Sequence, residues 1–242
     1  MWFDASVVES VVALIPPWIA VLILFVSYLG SVYVIGPLTV LVYLRGKSWQ
    51  QTCWPSIVIG AYALFVFLKP LTGILRPAEH GVESPLADVA LPLVIDQLHV
   101  LAVGFDTGSF PSGHTIAATV FFGLFVVDMD IGSWRTRIGS AVVILAVLYV
   151  SRIALGVHYV GDVVGGAIIG FAYLLGMLWL RDRVSNPVET ILGLAVAPSV
   201  GAIFLGRPSH GAFLLVIIAV TYVTHRRFFL HSRKLRQYSD MD

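Results

Sequence analysis

"SRIALGVHYVGDVVGGAIIGFAYLLGMLWL", residues 151–180, decides how this chain folds. From Tyr159 onward it is one mostly apolar run, and about 20 such residues are enough to cross a bilayer. Three ionisable residues lie just before this run or at its start: Arg152, His158 and Asp162. Ionisable side chains are costly at a membrane span, so three of them together predict polar partners and a function.

The composition indicates that the whole chain lies in a membrane. Of its 242 residues, 58% are hydrophobic and 12% are charged, whereas roughly 25% are charged in soluble domains. Backbone groups in lipid must be satisfied within their own segment, so each apolar run should be a helix. We therefore predict an all-α polytopic bundle of six to seven transmembrane helices. The candidate spans are about residues 18–44, 54–75, 112–128, 138–156, 159–180, 189–206 and 211–227.

The chain is predicted to be a single integral-membrane domain in three parts. Residues 1–53 hold an interfacial helix and the first span, which should kink at Gly36-Pro37. Residues 54–182 form the catalytic core, and residues 183–242 form the last spans and a tail. No Lys or Arg precedes the first apolar run, so no cleaved signal peptide is expected.

One long connection, residues 76–111, follows the second span. Within it, residues 91–105 are apolar but too few to span the membrane, which predicts an interfacial or re-entrant helix. The sequence does not assign a role to this helix. Asp96 and His99 within this segment are spaced to share a helix face. Four other ionisable residues of the connection are expected to be solvated: Glu79, His80, Glu83 and Asp88. Asp106 is expected near the rim of the pocket, without an assigned role.

The distribution of basic residues predicts the orientation of the chain. Eleven of the fifteen Lys and Arg residues fall in loops and ends that share one side. The positive-inside rule makes that side cytoplasmic, together with the C-terminus, and leaves the N-terminus outside. No basic stripe points to nucleic acid, and the oligomeric state stays open. The other four basic residues lie on the outer side: Lys69, Arg76, Arg152 and Arg207.

The first outer motif is "KPLTGILRP", residues 69–77. Lys69 and Arg76 are seven residues apart, so a continuous helix would place both on one face. A single cation at a span end is usually an anchor to lipid head groups. Taken alone, this motif therefore does not identify a site, and neither do Arg207 and His210, which lie on the same side but match no motif.

Two further motifs reach the same side. In "PSGH", Ser112 is suited to cap a helix, Gly113 allows close approach of a ligand, and the free N–H groups of a helix start favour an anion. His114 follows directly. In the opening stretch, His158 and Asp162 are four residues apart, so on a helix the carboxylate can hold one imidazole nitrogen and leave the other free.

Each motif alone has an ordinary structural explanation as an anchor, a helix cap or a satisfied polar pair. Together they bring three cations, a helix N-terminus, two histidines and an aspartate to one face from four spans. This combination has the composition of a pocket that binds an oxyanion and supplies both a nucleophile and an acid.

The ordered set K-x6-RP, PSGH and SR-x5-H-x3-D, within residues 69–162, resembles the type 2 phosphatidic acid phosphatase family, which includes the vanadium haloperoxidases. The resemblance implies that His158 attacks phosphorus, that Asp162 orients it, and that His114 protonates the leaving oxygen. The family is metal-independent, so no metal or cofactor is expected. The resemblance also implies a phosphate-binding set: Lys69, Arg76, Ser112, Gly113 and Arg152.

A pocket at the outer membrane–water boundary suits a phosphate that is attached to a lipid. Phosphatidic acid, phosphatidylglycerol phosphate and a polyprenyl phosphate or diphosphate all fit, and the sequence does not choose among them. A phosphotransferase that passes the group to a sugar or lipid hydroxyl would use the same residues. A transporter is disfavoured, because transporters place polar groups near the bilayer midplane, whereas these charges lie at span ends.

Overall fold

The computed structural model describes residues 2–87, 91–103 and 108–239, with the backbone alone for residues 99, 101–103 and 229–239. The described residues form helices and turns and contain no strand, which confirms the predicted all-α class. A short 3₁₀ helix covers Pro77–His80. The α-helices are α1 (Ala5–Val12), α2 (Pro17–Tyr28), α3 (Val32–Arg45), α4 (Trp49–Thr52), α5 (Trp54–Thr72), α6 (Leu93–Val103), α7 (Gly113–Asp128), α8 (Trp134–Ala154), α9 (Val160–Arg181), α10 (Pro187–Phe204) and α11 (Pro208–Ser239).

Six helical stretches among the described residues are long and apolar enough to cross a membrane. They contain α2 with α3, α5, α8, α9, α10 and the first part of α11. The remaining predicted span, residues 112–128, corresponds to α7. This helix has 16 residues and is therefore about 24 Å long. Because α7 packs against α5, α8 and α9 and most of its residues are buried, it forms the centre of the bundle.

The first span is interrupted at a different place from the one predicted. α3 continues through Pro37, and the break lies at residues 29–31, between α2 and α3. A side chain at Gly30 would lie 3.1 Å from the backbone oxygen of His114 and from the Leu148 side chain. The break therefore occurs where the first span must approach α7 and α8 most closely, which the local sequence does not reveal.

The second difference concerns the helix that carries Lys69. α5 ends at Thr72, and Gly73 has a φ of 61°, the left-handed conformation that commonly terminates helices. Arg76 lies beyond this end, so the expected helix face shared by Lys69 and Arg76 does not exist. The turn that follows α5 brings Arg76 back toward the bundle, and the two cations meet there by tertiary structure.

Glycines set the distance between α7 and α9. A side-chain carbon at Gly166 would lie 2.9 Å from the Ser112 carbonyl oxygen, and one at Gly170 would lie 3.0 Å from the Thr119 side chain. Only hydrogen fits at these positions, so the two helices pack with their backbones close together. This packing brings the first turns of the two helices, and the residues beside them, into contact.

A buried ion pair joins the opposite ends of the same two helices. Arg181, at the end of α9, donates two hydrogen bonds of 2.9 and 2.7 Å to Asp128, at the end of α7. The side chains are only 4% and 2% exposed. The indole of Trp54 donates a further 2.9 Å bond to Asp128, so the start of α5 is tied to the same carboxylate.

Replacing Asp128 with Ala should destabilise the bundle strongly. Removal of Asp128 leaves the buried Arg181 guanidinium with only the exposed Asp182 as an anionic partner, and breaking a buried pair typically costs about 3–5 kcal/mol. Asp182→Ala is the matched control, because Asp182 pairs with the same arginine but is 59% exposed. Thermal unfolding in detergent measures both variants, and equal loss of stability in the two would contradict this assignment.

Candidate active site

The predicted site residues meet at one end of the bundle, around a cavity of about 510 Å³. They come from the end of α5 and the turn after it, the start of α7, the end of α8, and the loop that leads into α9. The motif residues that line the cavity are Lys69, Arg76, Gly113, His114, Arg152 and His158. Segments more than 80 residues apart in the chain therefore form one pocket.

His158 and Asp162 form the polar pair that the spacing predicted. His158 lies just before α9 and Asp162 lies in its first turn, with 3.1 Å between imidazole Nδ1 and carboxylate Oδ2. The backbone N–H of Tyr159 donates to the same carboxylate oxygen at 2.8 Å. Asp162 is fully buried and held on two sides, so it can fix the imidazole with Nε2 available for chemistry.

Ser109 is a member of the site that the sequence reasoning missed. Its hydroxyl donates a short hydrogen bond to Oδ2 of Asp162 and lies 3.4 Å from Nδ1 of His158. The residue is fully buried. It sits three positions before Ser112 in an ordinary loop sequence, so only the folded chain reveals its role as a further donor to the carboxylate.

The "PSGH" residues lie at the start of α7 and have different roles there. The Ser112 hydroxyl accepts a 3.4 Å bond from the Thr115 N–H and a 3.0 Å bond from the Thr115 hydroxyl, so it caps the helix. Ser112 is buried beneath the cavity wall, whereas Gly113 and His114 line the cavity. A side chain at Gly113 would lie 2.9 Å from the Phe65 ring, so glycine is required there.

Three buried cations surround the cavity. Lys69, Arg76 and Arg152 are 5%, 7% and 1% exposed. The Lys69 ammonium donates a 2.8 Å bond to the Gly108 carbonyl, and the Arg152 guanidinium donates to the Ser27 hydroxyl. These contacts fix the direction of long side chains, so an incoming anion meets cations that are already oriented.

The electrostatic surroundings keep His158 unprotonated. Burial lowers the pKa of His158 well below its usual range, and Arg76, Lys69 and Arg152 lower it further. The Asp162 carboxylate, 3.1 Å away, opposes this shift. The lowered pKa favours the neutral imidazole, which is the protonation state a nucleophile requires.

Apart from Arg76, the described ionisable side chains of the long connection do not line the cavity. Glu79, His80 and Glu83 are exposed, as predicted. Asp96 is partly buried on α6, which packs against α2, and its predicted neighbour His99 has no described side chain. Asp88 and Asp106 lie outside the described residues.

The fold and the site together define a class of protein: a polytopic helix bundle with a buried His–Asp pair, a second histidine and three cations around a helix N-terminus. A family model described as the PAP2 superfamily matches residues 20–185, and the chain belongs to that superfamily. The predicted resemblance to type 2 phosphatidic acid phosphatases is confirmed.

Two similar proteins are phosphatases by name. The chain is 38% identical over 161 residues to the lipid A 4'-phosphatase of Bacteroides thetaiotaomicron. That alignment covers 61% of this chain and 65% of the relative's length. The fold is similar to the crystal structure of a transmembrane PAP2 type phosphatidylglycerolphosphate phosphatase from Bacillus subtilis, with a TM-score of 0.58, 25% identity, and coverage of 76% of this chain and 86% of that one.

Ser109→Ala should lower kcat about tenfold or more with little change in KM, because a hydrogen bond to a charged group contributes about 1.5–3 kcal/mol. Asp162 would then attract the proton of His158 more strongly. This raises the pKa of His158 and moves the acid limb of the kcat/KM profile to higher pH. Steady-state kinetics across pH measure both effects.

Ser199→Ala is the control for this prediction. Ser199 is also fully buried, but its hydroxyl bonds only to the Ala195 carbonyl of its own helix. An unchanged pH profile in Ser109→Ala, or the same loss of kcat in both variants, would show that Ser109 does not act through Asp162.

Proposed function

We propose that this protein is a metal-independent membrane phosphatase that hydrolyses a lipid phosphate or diphosphate through a phosphohistidine intermediate. The observation that carries the proposal is the continuity between the cationic pocket and a long apolar groove in the same cavity. The first part would bind the phosphoryl group, and the second part would hold the lipid tail.

The proposed first half-reaction transfers the phosphoryl group to the enzyme. Nε2 of His158 attacks phosphorus, and the bond from phosphorus to the lipid oxygen breaks. His114 donates a proton to that leaving oxygen. Asp162 stabilises the positive charge that develops on the His158 ring, as the carboxylate does in a catalytic triad.

In the proposed second half-reaction, a water molecule attacks the phosphohistidine. His114, now unprotonated, accepts a proton from the water, and the phosphorus–nitrogen bond breaks. Inorganic phosphate leaves and His158 regains its neutral state. Phosphoryl transfer depends mainly on positioning and on stabilisation of the oxygen charges, and Lys69, Arg76 and Arg152 supply three fixed cations for that purpose.

The apolar groove supports a lipid substrate. It lies between α3, α5 and α11, and on α11 it extends from His210 to Thr221. The eleven rises between these two residues correspond to about 16 Å. This is close to half of the bilayer's hydrocarbon core, which is about 30 Å thick. A tail in one leaflet therefore fits its length. The apolar groove is lined mainly by Val40, Val58, Ile59, Phe65, Val66, Phe213, Leu214, Ile217 and Val220.

The relatives support the same substrate class. Lipid A and phosphatidylglycerol phosphate, the substrates in their names, are both phosphorylated lipids. The feature they share is a phosphate group on a membrane lipid, and we extend that feature to this chain without choosing the head group.

The charge distribution supports an extracytoplasmic site. Lys69, Arg76, Arg152 and Arg207 belong to the end of the bundle that holds the site. The opposite end carries more basic residues, and the positive-inside rule makes it cytoplasmic together with the C-terminus. These basic residues include Arg45, Lys47, Arg135, Arg137, Arg181, Arg183, Arg226 and Arg227.

Ile217→Trp should reduce kcat/KM for dioleoyl phosphatidic acid about tenfold or more, because the larger side chain fills the apolar groove. Hydrolysis of p-nitrophenyl phosphate, which has no tail, should be slow in the wild type and unaffected by the substitution. Phosphate release in detergent with EDTA measures both substrates, and EDTA should not reduce either rate.

The matched control is Val216→Trp, since Val216 is the preceding residue of α11, is 58% exposed and does not line the groove. Wild-type efficiency that is equal for the two substrates would contradict a lipid substrate. Activity that is lost in EDTA and restored by Mg²⁺ would contradict the metal-independent mechanism.

A further inference from the structure

The segment before the first span packs against the bundle beside the loop that carries His158. This N-terminal segment, residues 2–12, contains Trp2, Phe3 and the helix α1. α1 contacts α8 and the 3₁₀ helix that follows Arg76. The segment precedes the stretch that matches the superfamily, so the family resemblance assigns it no role.

A backbone hydrogen bond joins the N-terminal segment to the helix that carries Asp162. The Gly161 N–H donates to the Trp2 carbonyl oxygen at 2.8 Å. Gly161 lies in the first turn of α9, where backbone N–H groups have no acceptor within the helix. The N-terminal segment therefore caps α9 one residue before Asp162.

The ring of Phe3 lies beside this hydrogen bond. It meets the Tyr159 ring and the Phe110 ring edge to face, with 6.0 Å between centroids in both pairs. A side-chain carbon at Gly161 would lie 2.8 Å from the Phe3 ring, so the ring packs directly on the backbone of α9. Phe3 therefore contacts both the start of α9 and the loop before α7.

The neighbours of Phe3 connect it to the His–Asp pair. Tyr159 follows His158 in the chain, and its backbone N–H donates to the Asp162 carboxylate at 2.8 Å. Phe110 follows Ser109, whose hydroxyl donates to the same carboxylate. The hydrogen bonds at Asp162 therefore depend on two backbone segments that Phe3 packs against.

α1 holds Phe3 in this place. The Asp4 carboxylate caps α1 by accepting a 3.0 Å bond from the Ser6 N–H. Val8, one turn further along, is fully buried and forms an apolar cluster with Tyr159 and Val82. The residues that follow Phe3 are therefore anchored on the same loop.

We propose that Phe3 is a positioning residue for catalysis, and that the N-terminal segment holds the His158 loop and the first turn of α9 in their reactive arrangement. The inference rests on the proposed role of His158 as the nucleophile. Phe3 is 44% exposed and does not line the cavity. It therefore acts on the nucleophile through Tyr159 and Gly161 and does not contact the substrate.

Phe3→Ala should lower kcat for dioleoyl phosphatidic acid about tenfold, because a displacement of about 1 Å in a catalytic group can cost about a hundredfold in rate. KM should change little, since the cations around the cavity stay in place. Phe3→Leu should recover part of the rate, because leucine fills part of the same space. Phosphate release in detergent with EDTA measures these constants, and thermal unfolding shows that each variant is folded.

Trp18→Ala is the control for the loss of an exposed aromatic side chain. Trp18 lies in the first turn of α2, outside the N-terminal segment, is 67% exposed and does not line the cavity. Exposed aromatic residues also anchor proteins at a membrane surface. The control should keep the wild-type kcat, which separates anchoring from positioning.

Gly161→Ala tests the same contact from the side of α9. The added carbon would lie 2.8 Å from the Phe3 ring and 2.9 Å from the Trp2 carbonyl oxygen, so it should displace the N-terminal segment and lower kcat. In the Phe3→Ala background the ring is absent. Gly161→Ala should then lower kcat by a smaller factor than it does in the wild type, as expected for residues in contact.

Four results would overturn the proposal. They are a wild-type kcat in folded Phe3→Ala, an equal fall of kcat in Trp18→Ala, a rise of KM in Phe3→Ala without a fall of kcat, and equal effects of Gly161→Ala in the two backgrounds. Each would leave the proposed phosphatase activity intact. A folded wild type that releases no phosphate from any lipid phosphate would instead overturn the proposed function.

Discussion

The buried carboxylate of Asp162 is the point on which the rest of the site depends. It accepts hydrogen bonds from the His158 ring, the Ser109 hydroxyl and the Tyr159 backbone N–H. The backbone carbonyl of the same residue accepts a 3.1 Å bond from the Ser112 N–H. One residue thus aligns the proposed nucleophile, the loop before α7 and the cap of α7. Burial of a carboxylate is costly unless it is hydrogen-bonded, and the three donors to Oδ2 offset part of that cost.

The packing of α7 against α9 makes that arrangement possible. Gly166 and Gly170 allow the backbones to approach, and the Asp128–Arg181 pair fastens the far ends of the two helices. The site end is therefore held by a short polar network and the opposite end by a buried ion pair. Between them the glycines of α9 contact the Thr115 and Thr119 side chains of α7, which holds the two helices at a short separation.

The catalytic motifs were predictable from sequence because their chemistry is local. The spacing of His158 and Asp162, the cap at Ser112 and the order of the three motifs predicted a site from residues that the structure brings together. Apolar length likewise predicted the spans, because backbone groups in lipid leave few alternatives to a helix. The structure brings His114, His158 and the three cations together, although their individual roles remain predictions.

The features that escaped prediction all depend on contacts between distant segments. The break before α3 is set by the approach of Gly30 to α7, and the left-handed Gly73 ends α5 before Arg76. Ser109 lies in an unremarkable loop sequence and gains its role only when that loop meets α9. A pattern in one segment carries no information about such neighbours.

The most direct test of the central claim is to trap the phosphoenzyme. The purified protein is mixed with ³²P-labelled phosphatidic acid in EDTA, quenched at alkaline pH to preserve a phosphorus–nitrogen bond, and mapped by mass spectrometry. The account predicts label on His158, no label in His158→Asn, and normal label in His225→Asn, whose histidine contacts Tyr43 at 3.3 Å and is absent from the cavity lining. Label on another residue, or turnover by His158→Asn at the wild-type rate, would contradict it.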